Sequence, residues 1–353
     1  MSNVNAARLS LISLVGLSVC WAADGAEPAV PNVRVASVRK LFHNGEHNAF
    51  TDLCRFQDRL YLTFRSCPDG HMVHPTSSIL VLSSVDGGAW EEVFRFHVAR
   101  RDTRDPHFLV FKDKLFVYTG TWYCADTSPK TRDLNEHLGY AVWTADGRQW
   151  NGPILMEGTY GHYVWRAASY GGKAYLCARR KLNFAEGEDE PAPIVQSAML
   201  ESDDGLIWRK AALFQEEYGD ETAFLFEEGG AVLAVARGGG GRNAQLCRSK
   251  PPYDTWQRDD LGRYIGGPLV VRWGDDYLVG GRRTIGPPVT ALYWLVDGRL
   301  VEFAVLPSGG DNSYPGFVAL SPERALVSYY SSHERGDDGK PITAIYMAEL
   351  VRE

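Results

Sequence analysis

The feature that most constrains the fold of this chain is a hairpin-like segment that recurs six times. The clearest copy spans residues 220–237, where two short apolar runs flank the turn at Gly229 and Gly230. Pairing about this turn places Glu221 opposite Arg237 at the open end of the hairpin. Five further segments have the same order of polar opening, apolar run, turn and second apolar run: 48–65, 103–120, 163–180, 264–282 and 312–330. Their spacing of roughly 45–60 residues is the period of propeller blades.

These repeats predict an all-β fold, a six-bladed β-propeller of four-stranded antiparallel blades. Because the repeats continue without a break, we expect one domain over residues 27–353. In a closed ring each blade protects the edges of its neighbours. We therefore expect strands at 34–41 and 343–351, from opposite ends of the chain, to complete the ring.

A second motif recurs between the hairpins. Residues 84–90, 144–150 and 202–208 share the pattern Ser/Thr-x-Asp-Gly-x-x-Trp. Asp-Gly is a strong turn signal, and the hydroxyl and carboxylate groups can accept hydrogen bonds from turn amides. We expect each turn to join the third and fourth strands of a blade, with its tryptophan packed between blades.

The N-terminal segment and the net charge restrict the location and the partners. Residues 1–26 contain Arg8, then an apolar run, then small residues, which is the layout of a secretory signal peptide. We expect a secreted or periplasmic protein, with lipid attachment at Cys20 as the alternative. The apolar run is too short for a permanent membrane span. The net charge of −7 argues against generic binding to nucleic acid or anionic membranes. Separately, we expect the protein to be a monomer.

Charged residues gather at the openings of the hairpins, which in a propeller all face one rim of the central channel. Six arginines there are candidates to bind an anionic ligand: Arg65, Arg104, Arg166, Arg179, Arg237 and Arg282. Guanidinium groups suit carboxylates because two parallel hydrogen bonds can form. The alternative is that the arginines only pair with acids of the same rim. Three long loops are expected over this face, at 66–76, 121–137 and 181–193.

The turns and the 220–237 hairpin resemble the sialidase (neuraminidase) superfamily. The turns are similar to its Asp-boxes (BNR repeats), although each is one residue shorter before the tryptophan. The resemblance extends over essentially the whole mature chain. It implies a glycoside hydrolase on a six-bladed propeller that cleaves terminal, acidic sugars from a glycan or glycoconjugate.

The resemblance also implies roles for individual residues. Glu221 and Arg237 are similar to the family's glutamate and second arginine, and Arg282 or Arg283 to its third arginine. Tyr314 is similar to the tyrosine nucleophile, and Glu221 is then placed to take the phenol proton.

Two positions bear on whether the catalytic set is complete. Asp69 lies where the family keeps its acid/base aspartate, with Asp52 and Asp105 as further candidates for that acid. At the position of the family's first arginine this chain has the sequence NAFT, residues 48–51.

Two other functions remain open. The sequence Arg104-Asp105-Pro106 resembles the Arg-Asp-Pro motif of five-bladed furanosidase propellers. Asp52, Asp105 and Glu221 would then form a three-carboxylate glycosidase site. The second possibility is a non-catalytic glycan-binding propeller, which keeps the arginines without a complete catalytic set.

The histidine spacings predict neither a metal nor a cofactor. His43 and His47 are four residues apart, and His71 and His74 are three apart. Such spacings bring ligands together on a helix, but no helix is predicted there and no cysteine pairs accompany them.

Overall fold

The computed structural model describes residues 30–182 and 194–353, and its fold is a six-bladed β-propeller, as the sequence predicts. These residues form 24 strands in six four-stranded antiparallel sheets. In each blade the first strand of the hairpin lies innermost, next to the channel.

The first three blades follow one another along the chain. Blade one contains β2 (His47–Phe56), β3 (Arg59–Cys67), β4 (Ser78–Ser84) and β5 (Glu91–Phe96). Blade two contains β6 (Arg101–Phe111), β7 (Lys114–Tyr123), β8 (Leu138–Thr144) and β9 (Trp150–Leu155). Blade three contains β10 (Tyr163–Tyr170), β11 (Lys173–Lys181), β12 (Val195–Ser202) and β13 (Arg209–Gln215).

The other three blades complete the ring. Blade four contains β14 (Thr222–Phe226), β15 (Val232–Ala236), β16 (Gln245–Ser249) and β17 (Trp256–Asp260). Blade five contains β18 (Gly266–Trp273), β19 (Asp276–Arg283), β20 (Val289–Val296) and β21 (Arg299–Val305). Blade six contains β22 (Asn312–Ala319), β23 (Arg324–Arg335), β24 (Pro341–Arg352) and β1 (Val33–Phe42). The helical segments described are 3-10 turns at Leu134–Glu136, Glu228–Gly230 and Gly239–Gly241.

The ring closes in blade six, where the two predicted terminal strands meet. Strand β1 pairs antiparallel with β24, with Val33 opposite Arg352. Next to this pair the Glu353 amide donates a hydrogen bond of 3.0 Å to the Asn32 carbonyl. Pairing of the two ends removes the edges that an open arc of sheets would leave.

The register predicted for the 220–237 hairpin is confirmed. Thr222 lies opposite Ala236 in the β14–β15 ladder. One residue further out, the Arg237 amide donates to the Glu221 carbonyl at 2.9 Å. The side chains of Glu221 and Arg237 therefore leave the ladder at the same level.

A bulge interrupts the innermost strand in five of the six blades. The register shifts lie between Ala49 and Asp52, Arg104 and His107, Val164 and Ala167, Gly266 and Leu269, and Ser313 and Gly316. Each shift places one extra residue on the inner strand, which changes the direction of the side chains there. Asp105 and Tyr314 lie at two of these bulges with φ angles of 51° and 52°. Each is followed by a proline, which has no N–H group to leave unpaired.

The Asp-Gly turns join third and fourth strands, and their tryptophans pack against the preceding blade. Trp150 stacks on Phe94 of blade one, with ring centroids 4.9 Å apart. Trp208 meets Tyr118 of blade two edge-on at 5.5 Å. Within one turn, Asp146 accepts hydrogen bonds of 2.8 Å from two backbone amides. The predicted contact between blades is therefore confirmed for Trp150 and Trp208.

Some sequence predictions fall outside the described residues: the signal peptide at 1–26, Cys20 and most of the 181–193 loop. Within the described ranges, none of the helical segments has the length and apolar character needed to cross a membrane.

We predict that Trp208→Ala lowers the free energy of unfolding by about 3–5 kcal/mol, because it leaves a cavity between two blades. Trp208 is buried, whereas Trp90 is half-buried and donates to the Gly87 carbonyl of its own turn. Trp90→Ala should therefore cost less. Equilibrium chemical denaturation measures both, and equal losses would contradict this packing role.

Candidate active site

A cavity of about 260 Å³ lies in the channel at the openings of the hairpins. Its wall contains five arginines, three tyrosines and the carboxyl groups of Asp105 and Glu221. A second cavity, of about 490 Å³, is lined by later residues of the innermost strands, such as Phe226 and Ala319. It therefore lies towards the opposite face, and we assign the candidate site to the smaller cavity, where the charged groups converge.

Tyr314 and Glu221 form the contact at the centre of this site. The Tyr314 hydroxyl donates to Glu221 Oε1 at 2.6 Å. The other oxygen of Glu221 accepts from Arg237 Nη1 at 2.8 Å and from the Gly267 amide at 3.1 Å. The hydrogen bond expected from the sequence between Tyr314 and Glu221 is therefore present.

The pKa values of Tyr314 and Glu221 keep the shared proton on the phenol of Tyr314. Burial raises the pKa of Tyr314 well above its ordinary value, and the charge of Glu221 raises it further. Burial also opposes ionisation of Glu221, but the Arg237 charge and the Tyr314 hydrogen bond lower its pKa overall. The resting pair is thus a neutral phenol and a carboxylate that can accept its proton.

Aromatic rings fix the position of the phenol. The ring of Tyr314 lies 5.0 Å from that of Phe50 and 6.3 Å from that of Trp165, measured between centroids. Gly267 completes the enclosure, because a Cβ atom on this residue would lie 2.6 Å from the Tyr314 ring. Tyr314 has little freedom to move away from Glu221.

Asp105 supplies a second carboxyl group to the cavity. Its Oδ2 accepts a hydrogen bond from the Tyr163 hydroxyl, and its buried Oδ1 has no partner among the described residues. Burial and the charge of Glu221 raise the pKa of Asp105 to about 6. Two carboxyl groups whose pKa values are driven apart are suited to separate acid and base roles.

Three of the predicted arginines line the cavity with their side chains partly exposed. The exposed fractions of the Arg179, Arg237 and Arg282 side chains are 21%, 24% and 21%. Each also pairs with an acid: Arg179 with Asp220 at 2.8 Å, Arg237 with Glu221 at 2.8 Å, and Arg282 with Asp311 at 3.1 Å. These pairs orient the guanidinium groups and leave donors for an anionic ligand.

Arg104 also lines the cavity, but it is more completely engaged. Its guanidinium bonds to Asp102 and to the carbonyls of His71 and Met72. It lies 5.6 Å from the centre of the Phe50 ring. A cation therefore lies beside residues 48–51, the position at which the sequence resemblance implies an arginine.

Arg65 and Arg166, both predicted to bind the ligand, do not line the cavity. Arg65 is 0% exposed and bonds to Asp102 and to the carbonyls of Gly70 and Met72. It therefore anchors the loop that follows β3.

Arg166 lies below the cavity. It bonds to Asp52 at 3.0 Å and to the carbonyls of Pro268 and Pro315. It therefore links the innermost strands of four blades, and its role in this structure is a cross-link.

Two of the predicted acids are also not in the cavity. Asp69 is exposed and accepts a hydrogen bond of 2.5 Å from the Thr76 hydroxyl. Asp52 lies beyond the bulge of β2, where it accepts from Arg166 and from the Phe108 amide at 2.9 Å. The three-carboxylate site of Asp52, Asp105 and Glu221 is therefore not assembled around this cavity.

The structure adds cavity residues that the sequence did not indicate. Trp122 reaches the cavity from the end of β7, Arg132 from the loop after β7, and His71 from the loop after β3. For Arg132 and His71, only the length of the two loops signalled their importance. Nothing in the local sequence distinguishes these side chains from their neighbours.

Comparisons with known proteins support the fold. No protein-family model matches the chain, and no curated protein matches it. Among solved structures, the chain is similar to a Dyadobacter fermentans DSM 18053 protein of unknown function. The identity is 22% and the TM-score 0.77, and the match covers 92% of this chain and all of the other.

The chain is also similar to two sialidases. Trypanosoma rangeli sialidase, in complex with the inhibitor DANA, matches with 14% identity and a TM-score of 0.63 over 86% of this chain. The Hadza microbial sialidase Hz136 gives the same three values. The match spans 55% and 65% of these two proteins. At these identities the similarity establishes a sialidase-like propeller fold.

We predict that Gly267→Ala displaces Tyr314, because the new methyl group would overlap its ring. The free energy of unfolding should fall by about 1–3 kcal/mol because of overpacking. A further loss of about 1–2 kcal/mol is expected because alanine is strained at the positive φ of this position. Gly229→Ala is the matched control, since Gly229 also has a positive φ but no atom lies within 4 Å of the place that its methyl group would take. Denaturation curves compare the two variants, and equal losses would show that the Gly267–Tyr314 contact is not tight.

Proposed function

We propose that this protein is a sialidase-like glycoside hydrolase that cleaves terminal, anionic sugars from glycans. The observation that carries the proposal is the 2.6 Å hydrogen bond from Tyr314 to Glu221 inside an arginine-lined cavity. A phenol is a poor nucleophile unless a neighbouring base removes its proton. Glu221 is such a base, and its pKa is low enough to keep it ionised.

In the proposed reaction, Tyr314 attacks the anomeric carbon while Glu221 accepts the phenol proton. Asp105 donates a proton to the leaving oxygen as the glycosidic bond breaks. Asp105, now a carboxylate, then removes a proton from a water molecule that attacks the tyrosyl-linked sugar. The bond to Tyr314 breaks, the phenol regains its proton from Glu221, and the configuration of the sugar is retained.

A neutral nucleophile suits an anionic sugar. A carboxylate brought to an anomeric carbon that itself bears a carboxylate would meet like-charge repulsion. The phenol carries no charge until its proton leaves. The exposed parts of Arg179, Arg237 and Arg282 then supply donors for the carboxylate of the sugar.

The cavity volume favours a small ligand. Small-molecule sites occupy roughly 300–1,000 Å³, and this cavity, at about 260 Å³, lies just below that range. One terminal sugar ring is therefore a better match than the middle of a polysaccharide.

A second candidate is a glycosidase that uses carboxyl groups alone, with Asp105 as the acid and Glu221 as the nucleophile. The raised pKa of Asp105 favours this assignment. The contacts of Glu221 favour it less, because both of its oxygens already accept hydrogen bonds. A glycan-binding protein without hydrolytic activity is the third outcome that the experiments below distinguish.

We extend the proposal to the whole chain. Residues 1–26 would direct export, and residues 27–353 would act as a monomeric propeller domain outside the cytoplasm. N-terminal sequencing of the protein recovered from a secreting host tests the cleavage, and light scattering tests the monomer.

We predict that Tyr314→Phe lowers kcat on a chromogenic sialoside by about 10³-fold or more, because only the nucleophilic oxygen is lost. Binding of the same sialoside, measured by calorimetry, should stay nearly unchanged. Tyr160→Phe is the control, since Tyr160 is 63% exposed and does not line the cavity.

The pattern of variants separates the three functions. Full activity of Tyr314→Phe together with inactive Asp105→Asn and Glu221→Gln would replace the tyrosine mechanism by the carboxylate one. Glycan binding without hydrolysis by the unaltered protein would leave the lectin-like function.

We also predict that kcat/KM falls as the pH rises through about 6, because Asp105 must carry a proton to act as the acid. Its folded-state pKa is raised, so the protonated form is present below that pH and is lost above it. Asp105→Asn should remove this fall at high pH, the alkaline limb of the pH profile. The variant should also retain more activity on nitrophenyl glycosides than on alkyl glycosides, because the alkyl leaving groups need the proton. Asp69→Asn should keep the limb. If Asp69→Asn removes it instead, the acid is assigned to the wrong residue.

A further inference from the structure

A cluster of two histidines and one aspartate lies at the edge of the cavity, and none of its side chains carries out a step of the proposed reaction. His47 Nε2 lies 2.9 Å from Asp311 Oδ2, and His71 Nδ1 lies 2.7 Å from the same oxygen. All three atoms lie within 4.8 Å of one another. We propose that His47, His71 and Asp311 bind a divalent transition-metal ion, with Zn²⁺ as the best match.

The fold brings these residues together from distant parts of the chain. His47 begins β2, His71 lies in the loop after β3, and Asp311 immediately precedes β22. Asp311 is 264 residues from His47 and 240 from His71. The rings of the two histidines are almost perpendicular, with an interplanar angle of 81°. Both imidazoles direct a nitrogen at the same carboxylate oxygen of Asp311.

Two of the three distances between the ligand atoms can be compared with those of a zinc site. With bonds of about 2.0–2.1 Å, tetrahedral ligand atoms lie about 3.3 Å apart. The two nitrogen–oxygen distances are shorter than this by about half an ångström. His71 can make that adjustment, because its side chain is 46% exposed.

The contacts around Asp311 hold its metal-binding oxygen in place. Oδ1 accepts hydrogen bonds from Tyr330 at 2.8 Å and from Arg282 at 3.1 Å. Oδ2 is thereby left to the two histidines. Hydrogen bonds of this kind to the second oxygen commonly orient metal-binding carboxylates.

The ligand types select the metal. Two imidazoles and one carboxylate suit Zn²⁺ and its neighbours in the first transition row. Ca²⁺ and Mg²⁺ require mostly oxygen ligands, which this cluster does not provide. The charge of Arg282 also opposes ions that bind only by electrostatic attraction.

A metal ion here would have an open coordination position close to the cavity. His71 lines the cavity itself, and three protein ligands leave a fourth position for water or a ligand oxygen. The ion would add positive charge on the side of blades one and six. Zinc binding does not require glycosidase activity, and its measurement needs no substrate.

The test is a calorimetric titration of the chelator-treated full-length protein with Zn²⁺, repeated with Co²⁺ to record its visible spectrum. We expect one ion per chain, bound at least tenfold more weakly by His71→Ala and by Asp311→Asn. His97→Ala is the matched control, since His97 is exposed and lies outside the cluster. It should bind as the unaltered protein does.

His71→Ala is the decisive variant, because its exposed side chain can be removed without opening the core. Equal affinity of this variant and the unaltered protein would overturn the site, as would the absence of binding. Ca²⁺ binding as tight as Zn²⁺ binding would overturn the choice of metal. A tetrahedral Co²⁺ spectrum that is lost in His71→Ala would support it.

Discussion

The bulge in the innermost strands decides which side chains can meet at the centre of this propeller. It places Phe50, Asp105 and Tyr314 at one level, facing the cavity, on three different blades. Two residues further along, Asp52 and His107 lie at a deeper level and contact each other. One inserted residue per strand therefore separates a layer that can reach a ligand from a layer that joins the blades. The left-handed backbone at Asp105 and Tyr314 is maintained by the ladder on both sides, which is typical of residues positioned for function.

Pairing of buried charges then divides the arginines into two groups. A buried carboxylate or guanidinium without a partner costs several kcal/mol, so each charge inside the ring needs an opposite charge nearby. Arg65 is not available to a ligand, because it pairs with Asp102 and both side chains are fully buried. Arg237 and Arg282 also pair with acids, but their side chains stay partly exposed and line the cavity. The cavity therefore has oriented donors before any ligand arrives, which lowers the cost of binding and of stabilising charge in a transition state.

The fold could be predicted from the sequence, whereas the set of residues that line the cavity could be predicted only in part, for physical reasons. The Asp-Gly turns and the spacing of the hairpin repeats indicated the blades. The register of the 220–237 hairpin placed Glu221 opposite Arg237, and this prediction holds because β14 and β15 pair without a bulge. Asp52 and Arg166 lie outside the cavity because a bulge shifts the direction of side chains without changing the apolar pattern. Asp69 lies outside it because the path of a long loop depends on contacts such as that of Arg65 with the Gly70 carbonyl. The partnership of His47 with Asp311 could not be predicted, since it depends on how the ring closes rather than on spacing along the chain.

Ring closure also determines when the site can come into existence during synthesis. Tyr314 lies on β22 of blade six, whose outer strand is β1, the first strand of the described chain to be made. Strand β1 must wait unpaired until β24 emerges, and meanwhile it is an open edge that other chains could join. Its sequence contains Arg34, Arg39 and Lys40, and charges of one sign along an edge repel a second copy of the same strand. The positive charges of β1 thus protect the nascent chain during the interval in which its last blade, and with it the candidate nucleophile, is still missing.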